Sequence, residues 1–406
     1  MSDPTALAKA LGALVDRASA DYDQAAALSW RSAPQAAIFD ARGEALALTS
    51  VAAVSSLTAS LATLRNFFGE NWEPGDAAVT NDAEAGAANA CEMTVAAPVW
   101  IDRAAPPMWV VLRAFIPDLG GWELGGYSPQ ALDRWAEGAR IEAVKVAAAG
   151  KYRREVTETI ALNSRTPRLT LRCIRALVDA ARSLGEGVKK EFATGGDATE
   201  QGNALLSLEN QCIAQALAGC KALAGRKAPA QLDSAPRVAA ARVVAPWQAA
   251  RPVAGLSLES VSVSLRCGPN GIDIAVAPSP VASLPFNLGR HGAADCAIAA
   301  ITAALDLTSL RTGAIRHRVR VETGAPGLFE APLPASVCLG RATVGKAVFL
   351  AVVDALASDV QKTSSEDLWQ AYQASHYDDP VDPQTGKITP HRATAIRARE
   401  AQEMCA

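Results

Sequence analysis

The residues able to do chemistry gather in one stretch, Trp72 to Gly126. Asp82, Glu84, Glu92 and Asp118 stand in polar or glycine-rich turns, at the ends of the apolar runs Met93–Trp100 and Met108–Ile116. Those runs read as buried strands, and loops at strand ends are where binding and catalytic groups collect. Carboxylates so spaced offer oxygen ligands for a hard cation. Asp82, Glu92 and Asp118 are the catalytic candidates, although loop carboxylates more often cap or solvate turns. Substrate-binding candidates are Asn81, Asn89, Gly120, Gly121, Glu137, Arg140 and His291, the glycines because a bare backbone lets a ligand approach closely. The stretch has no histidine, and Ala83, Ala85, Ala87, Ala88 and Ala90 occupy places where a working site would hold ligands. It reads as a site whose chemistry has been removed, and no metal ligand is assigned.

Other motifs carry less. Gly340 to Lys346 spells GxxxxGK, but Ala347 stands where a nucleotide loop needs a hydroxyl for Mg²⁺. A glycine-rich turn into a helix is the better reading. There is no GxSxG serine, and the four histidines, 291, 317, 376 and 391, all lie in the C-terminal part, so no nucleophile–histidine–acid triad assembles. His291 precedes a helix and is placed either against substrate or as a surface or capping group. Eight cysteines without a CxxC pair argue against a disulfide framework or a structural zinc. A reduced, cytoplasmic protein is expected. With a formal charge of −3 and no block of like charge, nucleic acid is not an expected partner. No apolar run reaches the roughly 18 residues of a membrane span, so neither is a membrane.

The elements that must position these residues follow from periodicity. Thr5–Ser29 and Ser55–Phe68 read as helices, Gln35–Phe39 and Glu44–Leu48 as a hairpin turning at Gly43, and Gly75–Thr80 as a short strand. A long helical region runs from Tyr152 to Gly225, punctuated at Thr166-Pro167 and Gly195-Gly196. Leu256–Leu265, Gly271–Val276 and Ala314–Val321 read as strands, the last with Arg316, Arg318 and Arg320 on one face. Gly292–Leu305 and Val344–Ala357 read as helices. The charged tail from Ser364 is expected to order only against a partner. The fold class is thus α/β (mixed α+β), with a mixed-sheet core, a long helical segment and a smaller C-terminal α/β part. Expected divisions are an N-terminal α/β core at 1–150, helices at 151–226, a linker at 227–253, the C-terminal part at 254–360 and the tail at 361–406.

Taken in order, several segments resemble the hydantoinase B/5-oxoprolinase family, which includes subunits of acetone and acetophenone carboxylases. They are Phe39-Asp40-Ala41-Arg42-Gly43, Gly75-Asp76, Asn81-Asp82 through Glu92, Pro98-Val99-Trp100, Phe115 through Gly121, Glu137-Gly138-Ala139-Arg140-Ile141 and Asn163-Ser164-Arg165-Thr166-Pro167. The family's metal site draws on an HLPD histidine and aspartate and a histidine of HHADIGG. The matching positions here are Asn89, Glu92 and Phe115 or Ile116. Phenylalanine and isoleucine cannot ligate, and asparagine replaces imidazole poorly.

The resemblance implies a B-type subunit of a multi-subunit ATP-dependent cyclic-amide hydrolase or ketone carboxylase, here degenerate and structural. No cofactor is assigned to this chain; ATP and a divalent metal are expected in partner subunits. The implied partner is a hydantoinase A-like, ATP-handling subunit, with a full-length B-like subunit as a further candidate. Two other functions are weighed: an active cyclic-amide hydrolase with a site rebuilt on Asp82, Glu92, Asp118 and His291, and a non-enzymatic small-molecule binding module.

Overall fold

The computed structural model describes residues 3–28, 34–116, 118–122, 131–193, 197–224, 237–242, 260–268, 271–281, 287–324, 326–356 and 364–376. Its centre is a seven-stranded sheet built from β1 (Gln35–Phe39), β2 (Ala45–Leu48), β3 (Ala77–Thr80), β4 (Glu92–Val99), β5 (Met108–Phe115), β6 (Val144–Ala148) and β7 (Lys151–Tyr152). Their order is β2-β1-β5-β4-β3-β6-β7, and every pairing is antiparallel.

The near-continuous apolar runs of β4 and β5 follow from burial of both sheet faces. Successive side chains alternate between faces. Met93, Val95, Ala97, Val110 and Leu112 point into one core, which α1 (Pro4–Ala26) and α4 (Pro167–Ala193) cover with Leu11, Val15, Leu177 and Leu184. Ala96, Trp109 and Val111 point the other way, into a second core shared with α2 (Val54–Phe68), α6 (Gly292–Ala304) and α7 (Lys346–Leu356). The predicted helical region is three helices: α3 (Arg154–Leu162), α4 and α5 (Ala198–Ala224). The predicted break at Thr166-Pro167 is there, as proline at a helix start requires; Gly195-Gly196 lies outside the described residues.

A smaller sheet runs β11-β10-β9-β8, from β8 (Arg237–Arg242), β9 (Ser260–Gly268), β10 (Gly271–Val276) and β11 (Val319–Glu322). Among the described residues, parallel pairing is confined to β10 and β11. β8 falls within the tract expected as a linker. The α/β class is therefore as expected.

Two local expectations are corrected. Ala314–Val321 is not one strand. Gly313–His317 winds into a 3₁₀ turn, capped by the Thr312 side chain accepting from Ala314 N, and only Val319–Glu322 is extended. The three arginines consequently do not share one open face: Arg316 reaches Glu44 at 3.6 Å and Arg318 Nε donates to Asn210 Oδ1 at 3.2 Å. The start of the tail is also ordered within this chain. Residues Ser365–His376 form α8, which buries Trp369 and Tyr372 against Phe349 of α7, with Lys346 and Glu366 paired at 2.5 Å. An aromatic cluster supplies the burial that the segment's charge pattern conceals. Residues 377–406 lie outside the described set, and among the described residues no helix is long and apolar enough to cross a membrane.

Candidate functional site

The strand β3 delivers Asn81 and Asp82 to a buried corner. Asn81 is spent on the backbone: Nδ2 donates to Ala90 O (2.6 Å) and Ala139 O (2.8 Å), and Oδ1 accepts from Ile141 N (2.6 Å). It clamps the 81–92 loop to the 137–141 segment. Asp82, almost fully buried, caps the 3₁₀ turn Ala83–Ala85 by accepting from Glu84 N, and its Oδ2 meets Arg140 Nη2 at 2.6 Å. That contact pushes the Arg140 pKa up. Arg134 pairs with Glu84 at 3.0 Å and donates through Nε to Ala335 O at 2.9 Å, tying the loop to the C-terminal part.

The glycine pair and its neighbours form a second structural knot. Asp118 Oδ1 accepts from Gly120 N (3.0 Å) and from Arg165 Nη1 (2.8 Å). Gly121 has φ +87°, and a Cβ there would stand 2.6 Å from Ala136 O, so the bare backbone is used for protein packing rather than for a ligand. Glu137, buried, accepts through Oε1 from Ser336 Oγ, Val337 N and Cys338 N. Burial pushes its carboxyl pKa up in spite of those donors.

The third group is the one with unusual electrostatics. Glu92, Thr94, Arg113 and Phe115 share the face of the sheet that looks toward α2 and α6; Glu92 is paired in register with Phe115 and Thr94 with Arg113. Asn89, just before β4, accepts from Cys91 N at 2.9 Å. Arg113 lies buried, donating to Thr94 Oγ1 (2.9 Å), Ser56 Oγ (2.7 Å) and Ser60 Oγ (2.9 Å). Opposite stands Asp295 of α6, wholly buried, whose Oδ1 accepts from Ser55 N (3.0 Å) and Ser56 N (3.4 Å). Its Oδ2 has no hydrogen bond among the described residues and lies 3.6 Å from Arg341 Nη2. The Arg341 Nη1 reaches Glu92 Oε1 at 3.3 Å, and Glu92 Oε2 accepts from Ala88 N at 3.0 Å.

Burial pushes the Asp295 carboxyl pKa up and the neighbouring His291 imidazole pKa down. His291 itself sits at φ 67° immediately before α6. Burial also pushes the Cys91 and Cys296 thiols up to about 12, so neither supplies a thiolate nucleophile.

The residues singled out in the sequence thus divide into three groups rather than one. Asn81, Asp82 and Arg140 meet; Asp118, Gly120 and Gly121 meet around Arg165; Asn89 and Glu92 stand at the β4 end with His291 beside Asp295. Glu137 anchors the 336–338 segment. Sequence reasoning passed over Ser56, Arg113, Arg134 and Asp295, and treated Arg341 only as part of a turn. The readable signal was a charge inside an apolar run: Arg113 in Val-Val-Leu-Arg-Ala-Phe and Asp295 in Ala-Ala-Asp-Cys-Ala-Ile.

The donor set at the β4–β5 end does not suit a divalent metal. Between them Asn89, Glu92 and Phe115 offer one ionisable group, already tied to Arg341. Among the described residues no three His, Cys, Asp or Glu side chains converge where an ion could be held.

A profile of the hydantoinase B/oxoprolinase family matches residues 31–388, and the chain belongs to that family. The caprolactamase subunit beta of Pseudomonas jessenii is 30% identical over 112 residues, 28% of this chain and 19% of the relative. Over 88 residues, 22% of this chain and 7% of the relative, 5-oxoprolinase 1 of Arabidopsis thaliana is 35% identical. The crystal structure of the ATP-dependent caprolactamase from Pseudomonas jessenii superposes with a TM-score of 0.76 at 19% identity, over 89% of this chain and 61% of that one. A nucleotide-free acetone carboxylase superposes with a TM-score of 0.74 at 15% identity, over 92% and 49%. These likenesses show a shared fold. The aligned regions span less than a fifth of the curated relatives and about half to three-fifths of the solved chains.

Proposed function

We propose that this chain is a B-type subunit of a multi-subunit, ATP-dependent cyclic-amide hydrolase or ketone carboxylase, and that it serves as scaffold and interface while partner chains carry the reaction. The observation behind this reading is the state of the β4–β5 end. Asn89 is used to cap Cys91, Glu92 is tied to Arg341 and Ala88, and residue 115 is phenylalanine. Asp82 and Asp118, the other catalytic candidates, are likewise held by arginines, Asp82 by Arg140 and Arg134 and Asp118 by Arg165. A carboxylate held by a guanidinium and backbone N–H groups is positioned as structure; it is poorly placed to attack a carbonyl or to shuttle a proton.

The family resemblance supplies the rest. An A-type partner uses ATP to phosphorylate the substrate oxygen, and a ligand-complete B-type chain, where present, holds the metal. The relative from Pseudomonas jessenii is itself named as a subunit.

The test is an affinity pull-down of the tagged chain from its native host, with mass spectrometry of the eluate and assay of the purified chain. Co-elution of an ATP-handling A-type subunit, with no turnover by the isolated chain, is the expected result. Hydrolysis of a hydantoin, 5-oxoproline or a lactam by the chain alone would overturn it.

A further inference from the structure

We infer that Arg341 is the resident cation of this site, its guanidinium set between the Glu92 and Asp295 carboxylates where a metalloprotein would place a divalent ion. The inference deepens the ligand-poor subunit reading above and rests on it for context, though its geometry stands alone.

Each of the two carboxylates commits one oxygen to backbone N–H groups and turns the other toward Arg341. Glu92 gives Oε2 to Ala88 N and Oε1 to Arg341 Nη1; Asp295 gives Oδ1 to Ser55 N and Ser56 N and leaves Oδ2 facing Arg341 Nη2. The site is nearly dry: the side chains of Glu92 and Arg341 are each 13% exposed and that of Asp295 is 0% exposed. Two ionised carboxylates so enclosed repel each other and lose hydration unless one takes up a proton or a cation stands between them. The arginine supplies that charge with a planar fork able to face both.

Its delivery is fixed by the backbone. Arg341 opens a π-turn, Arg341–Gly345, that runs directly into α7. At Gly340 a Cβ would lie 1.9 Å from Asn287 O, so this turn can seat against the 287–288 backbone only without a side chain there. Thr343 Oγ1 donates to Leu339 O at 2.8 Å and steadies the same turn. The GxxxxGK spelling of the sequence therefore has a structural use. Its glycines seat the turn that carries Arg341, while its lysine leaves for Glu366.

The experiment uses the full-length chain, purified and equilibrated with Zn²⁺, Mn²⁺ or Mg²⁺ in turn. Bound metal is quantified after gel filtration, and stability is followed by thermal and denaturant unfolding. Wild type is expected to retain no stoichiometric metal and to show no metal-dependent rise in melting temperature. Arg341→Met is expected to destabilise, and the second substitution Glu92→Gln, which removes one of the stranded charges, to recover about tenfold in the unfolding equilibrium. That is the coupling sign of an ion pair. Arg341→Lys, which keeps a cation, is expected to remain folded where Arg341→Met fails.

Stoichiometric metal on wild type that Glu92→Gln removes would overturn the inference. So would a double variant no more stable than Arg341→Met, or an Arg341→Lys chain as damaged as Arg341→Met. None of these outcomes bears on co-purification of an A-type subunit, so the two readings fail separately.

Discussion

Glu137 gives the sharpest test of how the candidate region is held to the rest of the chain. Its Oε1 accepts from Ser336 Oγ, Val337 N and Cys338 N, and all four residues are buried. Glu137→Ala strands those donors. The serine hydroxyl can rotate toward another acceptor, so the certain losses are two backbone N–H groups at roughly 1–3 kcal/mol each. The vacated volume adds about 1 kcal/mol, and release of a buried charge returns a similar amount. The net cost is about 3 kcal/mol, concentrated where residues 131–140 meet 334–338. Glu137→Gln keeps a carbonyl acceptor in place and should cost about 1 kcal/mol.

Hydrogen exchange is the appropriate assay, because a chain of this length need not unfold in two states. About 3 kcal/mol corresponds to roughly a hundredfold faster exchange by opening at Val337 and Cys338. The sign of the pH dependence follows from the raised folded-state pKa. That contribution is fully present below the ordinary value of 4.5 and is lost as pH rises through the folded value. The advantage of wild type over Glu137→Gln should therefore shrink as pH rises through that window. Exchange within threefold of wild type in Glu137→Ala, or equal damage from Gln and Ala, would refute the acceptor role.

Other expectations follow from the same geometry. Asp82→Asn and Asp118→Asn should both lower the melting temperature, because each breaks a structural ion pair, whereas neutralising a strained catalytic charge commonly raises it. His291, whose pKa is lowered chiefly by burial, with Asp295 and Glu330 opposing and Arg290 and Arg316 reinforcing, should make the fold less stable as pH falls below the ordinary 6.5. His291→Asn, which tolerates the left-handed backbone, should flatten that slope in thermal unfolding. Gly340→Ala should cripple folding because its Cβ meets Asn287 O, while Gly12→Ala, with nothing within 4 Å of a new Cβ, should stabilise α1 by roughly 0.5–1 kcal/mol in urea unfolding. Trp369→Ala should cost roughly 3–5 kcal/mol and release α8 to rapid exchange, since that residue is buried between Phe349 and Tyr372.

Much of the scaffold was legible in the sequence for simple reasons. Met93–Trp100 and Met108–Ile116 read as strands because a sheet buried on both faces leaves no polar alternation. The Gly43 turn and the Thr166-Pro167 break were visible because backbone geometry restricts which residues fit there. What stayed hidden depends on distant partners. Gly313–His317 abandons extended structure where Gly313 packs beside Ala45, and α8 forms because Phe349 offers it an aromatic surface. The Glu92–Arg341–Asp295 link joins three separate elements, and nothing local announces that such side chains meet.

The carboxylates of the candidate region show why residue type alone misleads about function. As a string, Asp82, Glu84, Glu92 and Asp118 look like available chemistry. In the fold each meets an arginine, respectively Arg140, Arg134, Arg341 and Arg165. A working acid–base or metal site requires the opposite arrangement, with carboxylates converging on a shared space left for substrate or ion. Here guanidinium groups stand among them, Arg134 between Asp82 and Glu84 and Arg341 between Glu92 and Asp295, and Arg134 and Arg341 bridge the central region to the C-terminal part. In such an arrangement acidic side chains fasten loops together, and removing one is expected to loosen that joint.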